Sequence, residues 1–144
     1  MRNYKNIGAW QRADELTIQI YATTRNYPRE EIFGLTHQIR KSAVSVAANI
    51  AEGAARESKR EYLHFLYIAR GSLAETEYFL HLSHKLNYLS NEDFSSLTSR
   101  CNRTFGALHG LIESVKKEAS VVTKVIALLS SGLILYGLKS IPWT

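Results

Sequence analysis

Two apolar stripes divided by a break of a few residues constrain the fold of this chain more than any other feature. Ile32, Leu35, Ile39, Ala43, Val46 and Ile50 recur three or four residues apart, the spacing of one buried face of a helix. Tyr62, Phe65, Leu66, Ala69, Leu73, Thr76 and Leu80 repeat that pattern. Between them, Gly53 is predicted to end the first stripe with a left-handed turn. Ser58 and Glu61 then have the spacing of a capping box, with the serine accepting from the Glu61 N–H while the carboxylate reaches back. Two long helices should therefore meet at a short hairpin, residues 53–60.

The flanks read the same way. A first helix is expected from Ile7 to Asn26, with Trp10, Ala13, Leu16, Ile20, Thr24 and Tyr27 facing inward. Tyr27-Pro28 should end it, because the residue before proline is pushed out of helical geometry. Pro28 is expected to open the second helix, with Glu30 and Glu31 at its positive end. The third helix is expected from about Lys59 to Asn87. Ser90 or Asn91 should cap a fourth, carrying Phe94, Leu97, Cys101, Leu108, Leu111, Ile112 and Val115 and ending at Lys116 and Lys117. With 144 residues, 45% of them hydrophobic, and two prolines, the chain predicts an all-α, up-down-up-down four-helix bundle over residues 1–118.

Some positions predict closer detail. Ser42, Ala43, Ser45, Ala47, Ala48 and Ala51 would let a neighbouring backbone come near. Gly71-Ser72 should mark another close approach, since glycine inside a helix otherwise costs stability. Asn49 is expected to be a structural amide in the core, hydrogen-bonded to another helix. Leu63, Tyr67, Ala74, Tyr78 and His81 give the third helix a second apolar face, which predicts an oligomer interface.

Residues 119–144 form a second unit, an apolar C-terminal extension. Val121 to Leu138 is 18 residues long with Lys124 as its one charge, at the short limit of a membrane span. A membrane-contacting segment, a helix covering the core and an extra oligomer contact all remain open.

Enzyme chemistry finds little support. Glu61-x-x-His64 is half of a carboxylate di-metal motif, and no second copy exists. His81 and His84, with Glu77 nearby, lack ligands from another helix. Glu52 has no accompanying nucleophile or oxyanion arrangement. Phosphate-loop, nucleophile-elbow and cysteine-rich metal motifs are absent from the sequence. Cys101 is the only cysteine, which excludes an internal disulfide and suits a cytoplasmic setting. The N-terminus lacks the apolar run of a secretory signal. The expectation is a non-enzyme without metal or cofactor.

Charge points to a partner. The formal net charge is +5, and residues 1–60 carry ten Lys/Arg against six acids. Arg40 and Lys41 on the second helix, Arg56, Lys59 and Arg60 at the hairpin, and Arg12 on the first helix are the candidate nucleic-acid contacts. Lysine and arginine at such positions bind phosphate without reading bases.

Leu35-Thr-His-Gln-Ile-Arg-Lys-Ser-Ala-Val-Ser45, Asn49-Ile-Ala-Glu-Gly53 and Phe65-Leu-Tyr-Ile-Ala-Arg-Gly-Ser-Leu-Ala-Glu-Thr-Glu77 resemble the four-helix-bundle family named after proteins encoded in 23S rRNA intervening sequences. Accessory variability proteins of diversity-generating retroelements resemble the same family. The likeness covers roughly residues 8–118 and implies a bundle that assembles into a ring, a pentamer in characterised members. It also implies one concrete role, a scaffold holding template RNA beside a reverse transcriptase. The combined expectation is a non-catalytic, oligomeric protein that binds structured RNA or a ribonucleoprotein. The alternative is a protein–protein interaction module tethered to a membrane by residues 121–138.

Overall fold

Four α-helices carry the four stripes in the computed structural model, which describes the backbone of residues 2–139 and the side chains of residues 2–130. They are α1 (Gly8–Thr23), α2 (Leu35–Ala55), α3 (Lys59–Lys85) and α4 (Asn91–Lys139). Each packs on its neighbours in a four-sided arrangement: α1 on α2 and α4, and α3 on α2 and α4. Ala13, Leu16 and Ile20 of α1 meet Ile39, Ala43, Val46 and Ile50 of α2, Tyr62, Leu66, Ala69, Leu73 and Leu80 of α3, and Leu97, Cys101, Leu108, Ile112 and Val115 of α4 in one buried core. The up-down-up-down bundle is the architecture the stripes predict.

Local differences have physical causes. After Thr23, the first helix tightens into a 3-10 turn, Thr24–Asn26, in place of a full α-helical end. Pro28 does not open the second helix. Arg29–Glu31 forms a separate 3-10 turn, and α2 begins at Leu35. Glu31 explains that late start. One carboxylate oxygen accepts from the Leu35 N–H at 2.8 Å, and the other accepts from the Tyr88 hydroxyl at 3.2 Å. The acid thus caps α2 and ties it to the segment after α3. Ile32, assigned to the inner stripe from spacing, falls in the loop and is exposed.

The hairpin differs in one respect. Gly53 is helical and buried, and no glycine among the described residues has a positive φ. α2 continues to Ala55. A Cβ on Gly53 would lie 2.9 Å from both Phe65 Cβ and Tyr62 Cδ2, so the residue's role is to let α3 approach. Gly71 has the opposite surroundings: it is exposed, and a Cβ there would meet nothing within 4 Å. Ser72 makes the close contact instead. The serine half of the capping box forms, with Ser58 Oγ accepting from the Glu61 N–H at 3.1 Å, while the Glu61 carboxylate reaches back to the Ser58 hydroxyl at 2.9 Å in place of the backbone N–H. Ser90 Oγ accepts from the Asp93 N–H at 3.0 Å and caps α4.

Asn49 does not cross to another helix. Its amide donates to the Ser45 carbonyl at 2.7 Å and to Ser45 Oγ at 3.0 Å, both on α2. Ser45 Oγ makes the crossing, 2.8 Å from Ser72 Oγ on α3. Asn49 therefore orients a serine that bridges the two helices.

α4 passes through residue 118 without a break, so the expected boundary between bundle and extension is a change of burial. Val115 is 3% exposed, whereas Val121, Val125 and Ile126 are 58%, 49% and 60% exposed. Among the described residues no helix is long and apolar enough to cross a membrane. The candidate span 121–138 extends past the residues whose side chains are described.

The two glycines predict opposite responses to alanine. Gly53→Ala should destabilise the fold by about 1–3 kcal/mol through overpacking. Gly71→Ala should stabilise it by about 0.5–1 kcal/mol through backbone entropy. Urea denaturation of each single variant checks both signs.

Candidate nucleic-acid interface

The hairpin brings Arg56, Lys59 and Arg60 to one end of the bundle, where the N-terminal segment adds Arg2. The Arg2 guanidinium lies 4.8 Å from the Tyr62 ring centroid and donates to the Arg56 carbonyl at 3.4 Å. Arg2 and Arg56 line a pocket of about 620 Å³ with Ala55 and Glu57. The two guanidiniums at one pocket form a local positive site with cation–π support.

Much of that charge is already compensated. Arg56 pairs with Glu52 at 2.5 Å and covers Phe65 at 4.6 Å. Lys59 pairs with Glu118 across to α4. The hydrogen bond from Lys59, and then its charge, hold the Glu118 carboxyl below its ordinary range. Because the folded value is depressed, that contribution is present at neutral pH and lost as pH falls through it. Glu118 is more than half exposed, so the effect on stability is small. Arg60 is exposed and forms no ion pair among the described residues.

Arg40 and Lys41 are not part of that end. They lie 16 and 15 residues before Arg56 on the same helix, about 24 Å away along its axis. Arg40 Nε donates to Thr24 Oγ1 at 2.8 Å, and the guanidinium sits 4.8 Å from the Tyr21 ring. Arg40 thereby fastens α2 to α1. Lys41 projects from the exposed side of α2.

Arg12 belongs to a third location, which topology reveals. Arg12 and Glu15 of α1 line a pocket of about 120 Å³ with Arg100 and Arg103 of α4. Among the described residues none of these four side chains is in an ion pair, which requires approach within 4.0 Å. Three guanidiniums against one carboxylate leave a formal charge of +2 around a small pocket. Like charges gathered this way repel one another and attract an anion. A shallow groove continues from Arg103 past Asn102, Ser99, Thr98 and Ser95 to Phe94. Phe94 is stacked at 4.2 Å on His84, whose Nε2 lies 2.8 Å from Asn91 Oδ1.

The motifs weighed for metal binding do not converge. Glu61 is occupied by the Ser58 cap and His84 by Asn91 and Phe94. Among the described residues no group of three His, Cys, Asp or Glu could hold a metal. Cys101 is fully buried, and desolvation pushes its thiol up to about 12, with a smaller contribution from Glu77.

Arg2, Glu15, Arg100 and Arg103 escaped the sequence reading. Arg100 and Arg103 are spaced as neighbours on one helix face, but their meeting with Arg12 depends on α1 lying against α4.

Comparison with known proteins bears on both the family and the fold. Residues 5–110 match the family model described as "23S rRNA-intervening sequence protein". The fold is similar to the crystal structure of a protein with unknown function from the S23 ribosomal protein family of Bacteroides thetaiotaomicron VPI-5482. The two share 25% sequence identity with a TM-score of 0.68, over 73% of this chain and 95% of that one. No curated protein matches the chain.

The Cys101 environment predicts slow chemistry at sulfur. At pH 8 a charged disulfide reagent should label the native thiol at least about a hundred-fold more slowly than the urea-unfolded chain. Comparable rates would show that the α4 core face opens readily.

Proposed function

The chain belongs to the 23S rRNA-intervening sequence protein family, and within it we propose that this protein is a non-catalytic, oligomeric binder of structured RNA. The observation that carries the reading is the convergence of Arg12, Arg100 and Arg103 on one pocket without an ion pair. Phosphate is the anion whose geometry guanidinium groups match, through paired N–H donors. The hydroxyl and amide side chains of Ser95, Thr98, Ser99 and Asn102 extend the polar surface along α4. Such groups hydrogen-bond backbone phosphates and sugars without requiring a base sequence. At the hairpin end, Arg2 and Arg60 supply further positive charge, while Arg56 and Lys59 exchange a local acid for a phosphate.

A homo-oligomer completes the proposal. Tyr78 is 57% exposed on the second face of α3, which also carries exposed Tyr67 three turns earlier. Ala74, Glu77, Tyr78 and His81 form a groove with Phe94 and Thr98 of α4. A second copy seated on this face would bury those aromatics and repeat each arginine cluster, multiplying weak phosphate contacts. A ring-shaped pentamer is the specific assembly proposed. A scaffold beside a reverse transcriptase is its narrower form, supported if such an enzyme is encoded next to this gene. The same apolar groove favours a second reading, an interaction module whose partner is a protein.

Binding of the full chain to an RNA hairpin across a potassium chloride series tests the proposal. Affinity should fall with salt. Replacing Arg12, Arg100 and Arg103 by alanine should lower the salt slope by about 1 for each phosphate that is no longer neutralised. Arg56→Ala with Arg60→Ala should have a smaller effect. Absence of binding at low salt would overturn the RNA reading and leave the protein-interaction module.

A further inference from the structure

We propose that the outer part of α4, beyond the hairpin end of the bundle, is a lipid-docking helix that lies along an anionic bilayer surface. The inference is independent of the RNA reading and begins with a stripe that outruns the fold. Leu108, Ile112 and Val115 are buried between α1 and α3. The same three- and four-residue spacing continues through Ala119, Val122, Ile126 and Leu129. α1 begins only at Gly8 and the α2–α3 hairpin turns at residues 56–58, so the bundle ends beside Glu118, which pairs with Lys59 at the start of α3. The helix runs on to Lys139, about 32 Å beyond that point.

Val121, Val122, Val125, Ile126 and Leu129 are between 49% and 64% exposed. At 3.6 residues per turn they occupy an arc of roughly 140°, with Ser120, Thr123, Lys124 and Ser130 on the other side. A coiled-coil partner covers a narrow seam of two positions in seven. Here Val122, Ile126 and Leu129 would fill that seam while Val121 and Val125 stayed in water. A bilayer interface covers the whole arc, because acyl chains conform to whatever width is presented.

Charge selects the lipid. Residues 119–144 contain two lysines and no acid. Lys124 lies at the border of the apolar arc, where its alkyl stem can follow the apolar surface while the ammonium reaches headgroups. Lys117 and Arg60, neither of them in an ion pair among the described residues, lie at the same end of the bundle. Positive groups beside an inserted apolar helix complement phosphatidylglycerol or another anionic headgroup. Among the described residues no helix is long and apolar enough to cross, and the proposal places the described part in the interface plane.

Co-sedimentation of the full chain with vesicles of phosphatidylcholine alone, or mixed with phosphatidylglycerol, tests the proposal. Binding is expected to the mixed vesicles, weaker by roughly five-fold for each of Lys117→Ala and Lys124→Ala. Val122→Asp with Ile126→Asp should lower it by roughly ten-fold or more. Both positions are exposed, so thermal unfolding of that variant should match the parent chain. A chain that stays in the supernatant with the mixed vesicles overturns the proposal. So does undiminished binding by the aspartate variant. Light scattering supplies the competing outcome: an oligomer dissolved by the aspartate pair, without vesicle binding, would assign the face to a second copy.

Discussion

The close approach of α2 and α3 is the constraint on which the rest of the structure depends. At the hairpin it is set by Gly53, whose missing Cβ admits Tyr62 and Phe65. Further along it is set by hydroxyls: Ser45 lies 2.8 Å from Ser72, and Thr76 donates to Ser42 at 2.9 Å within the core. A helix pair joined by such short side chains brings two backbones together, and each buried hydroxyl is satisfied by its opposite number. Ser45→Ala would leave the Ser72 hydroxyl without its bond across the seam, whereas Ser42, Ser45 and Thr76 each keep a second hydrogen bond within their own helix. The seam therefore fixes register as well as distance. With α2 and α3 locked, Thr17 of α1 can donate to the Ala43 carbonyl at 3.1 Å, and α4 closes the remaining side.

The two ends of the bundle are held by different means. At the α3–α4 end, Glu31 is a neutralising centre that serves a helix N-terminus and a tyrosine hydroxyl together. A Cβ on Gly34 would lie 2.5 Å from the capping oxygen, so a side chain there would shift the Glu31 carboxylate from the cap. At the hairpin end, ion pairs and cation–π contacts do the fastening. Arg2 covers Tyr62, Arg56 covers Phe65, and Lys59 reaches across to Glu118. Exposed ion pairs contribute little to stability. Their larger consequence is electrostatic, since they leave this end less positive than its sequence composition implies.

The fold was legible because helical periodicity needs no knowledge of neighbours. The stripes of α1 to α4, the Ser58 box and the Ser90 cap can all be read from spacing alone. The errors arose where a residue's role depends on what faces it. Gly53 and Gly71 have the same side chain, and only the packing of α3 shows which one is crowded. Asn49 looks like a bridge between helices until Ser45 is seen to do the bridging. The same rule governs the charges. Lys59 and Arg56 sit in a cation-rich segment, yet Glu118 and Glu52 compensate them. Arg100 and Arg103 sit in an unremarkable stretch of α4 and acquire meaning from Arg12 on the adjacent helix. Sequence density of charge is a poor guide to free charge in a bundle, because acids a helix turn or a whole helix away decide the outcome.

The two proposed surfaces share α4 without sharing side chains. Arg103 and Val121 are 18 residues apart, about 27 Å along a single helix. The arginine pocket opens between α1 and α4, whereas the apolar arc lies past the end where α1 begins. A phosphate in the pocket would relieve repulsion among three guanidiniums, which acts on the α1–α4 contact. A bilayer against the extension would remove apolar surface that the bundle itself has no means of covering. The first term is electrostatic and weakens with salt. The second is hydrophobic and persists in salt. Because α4 is one continuous helix, orienting the extension also orients the pocket.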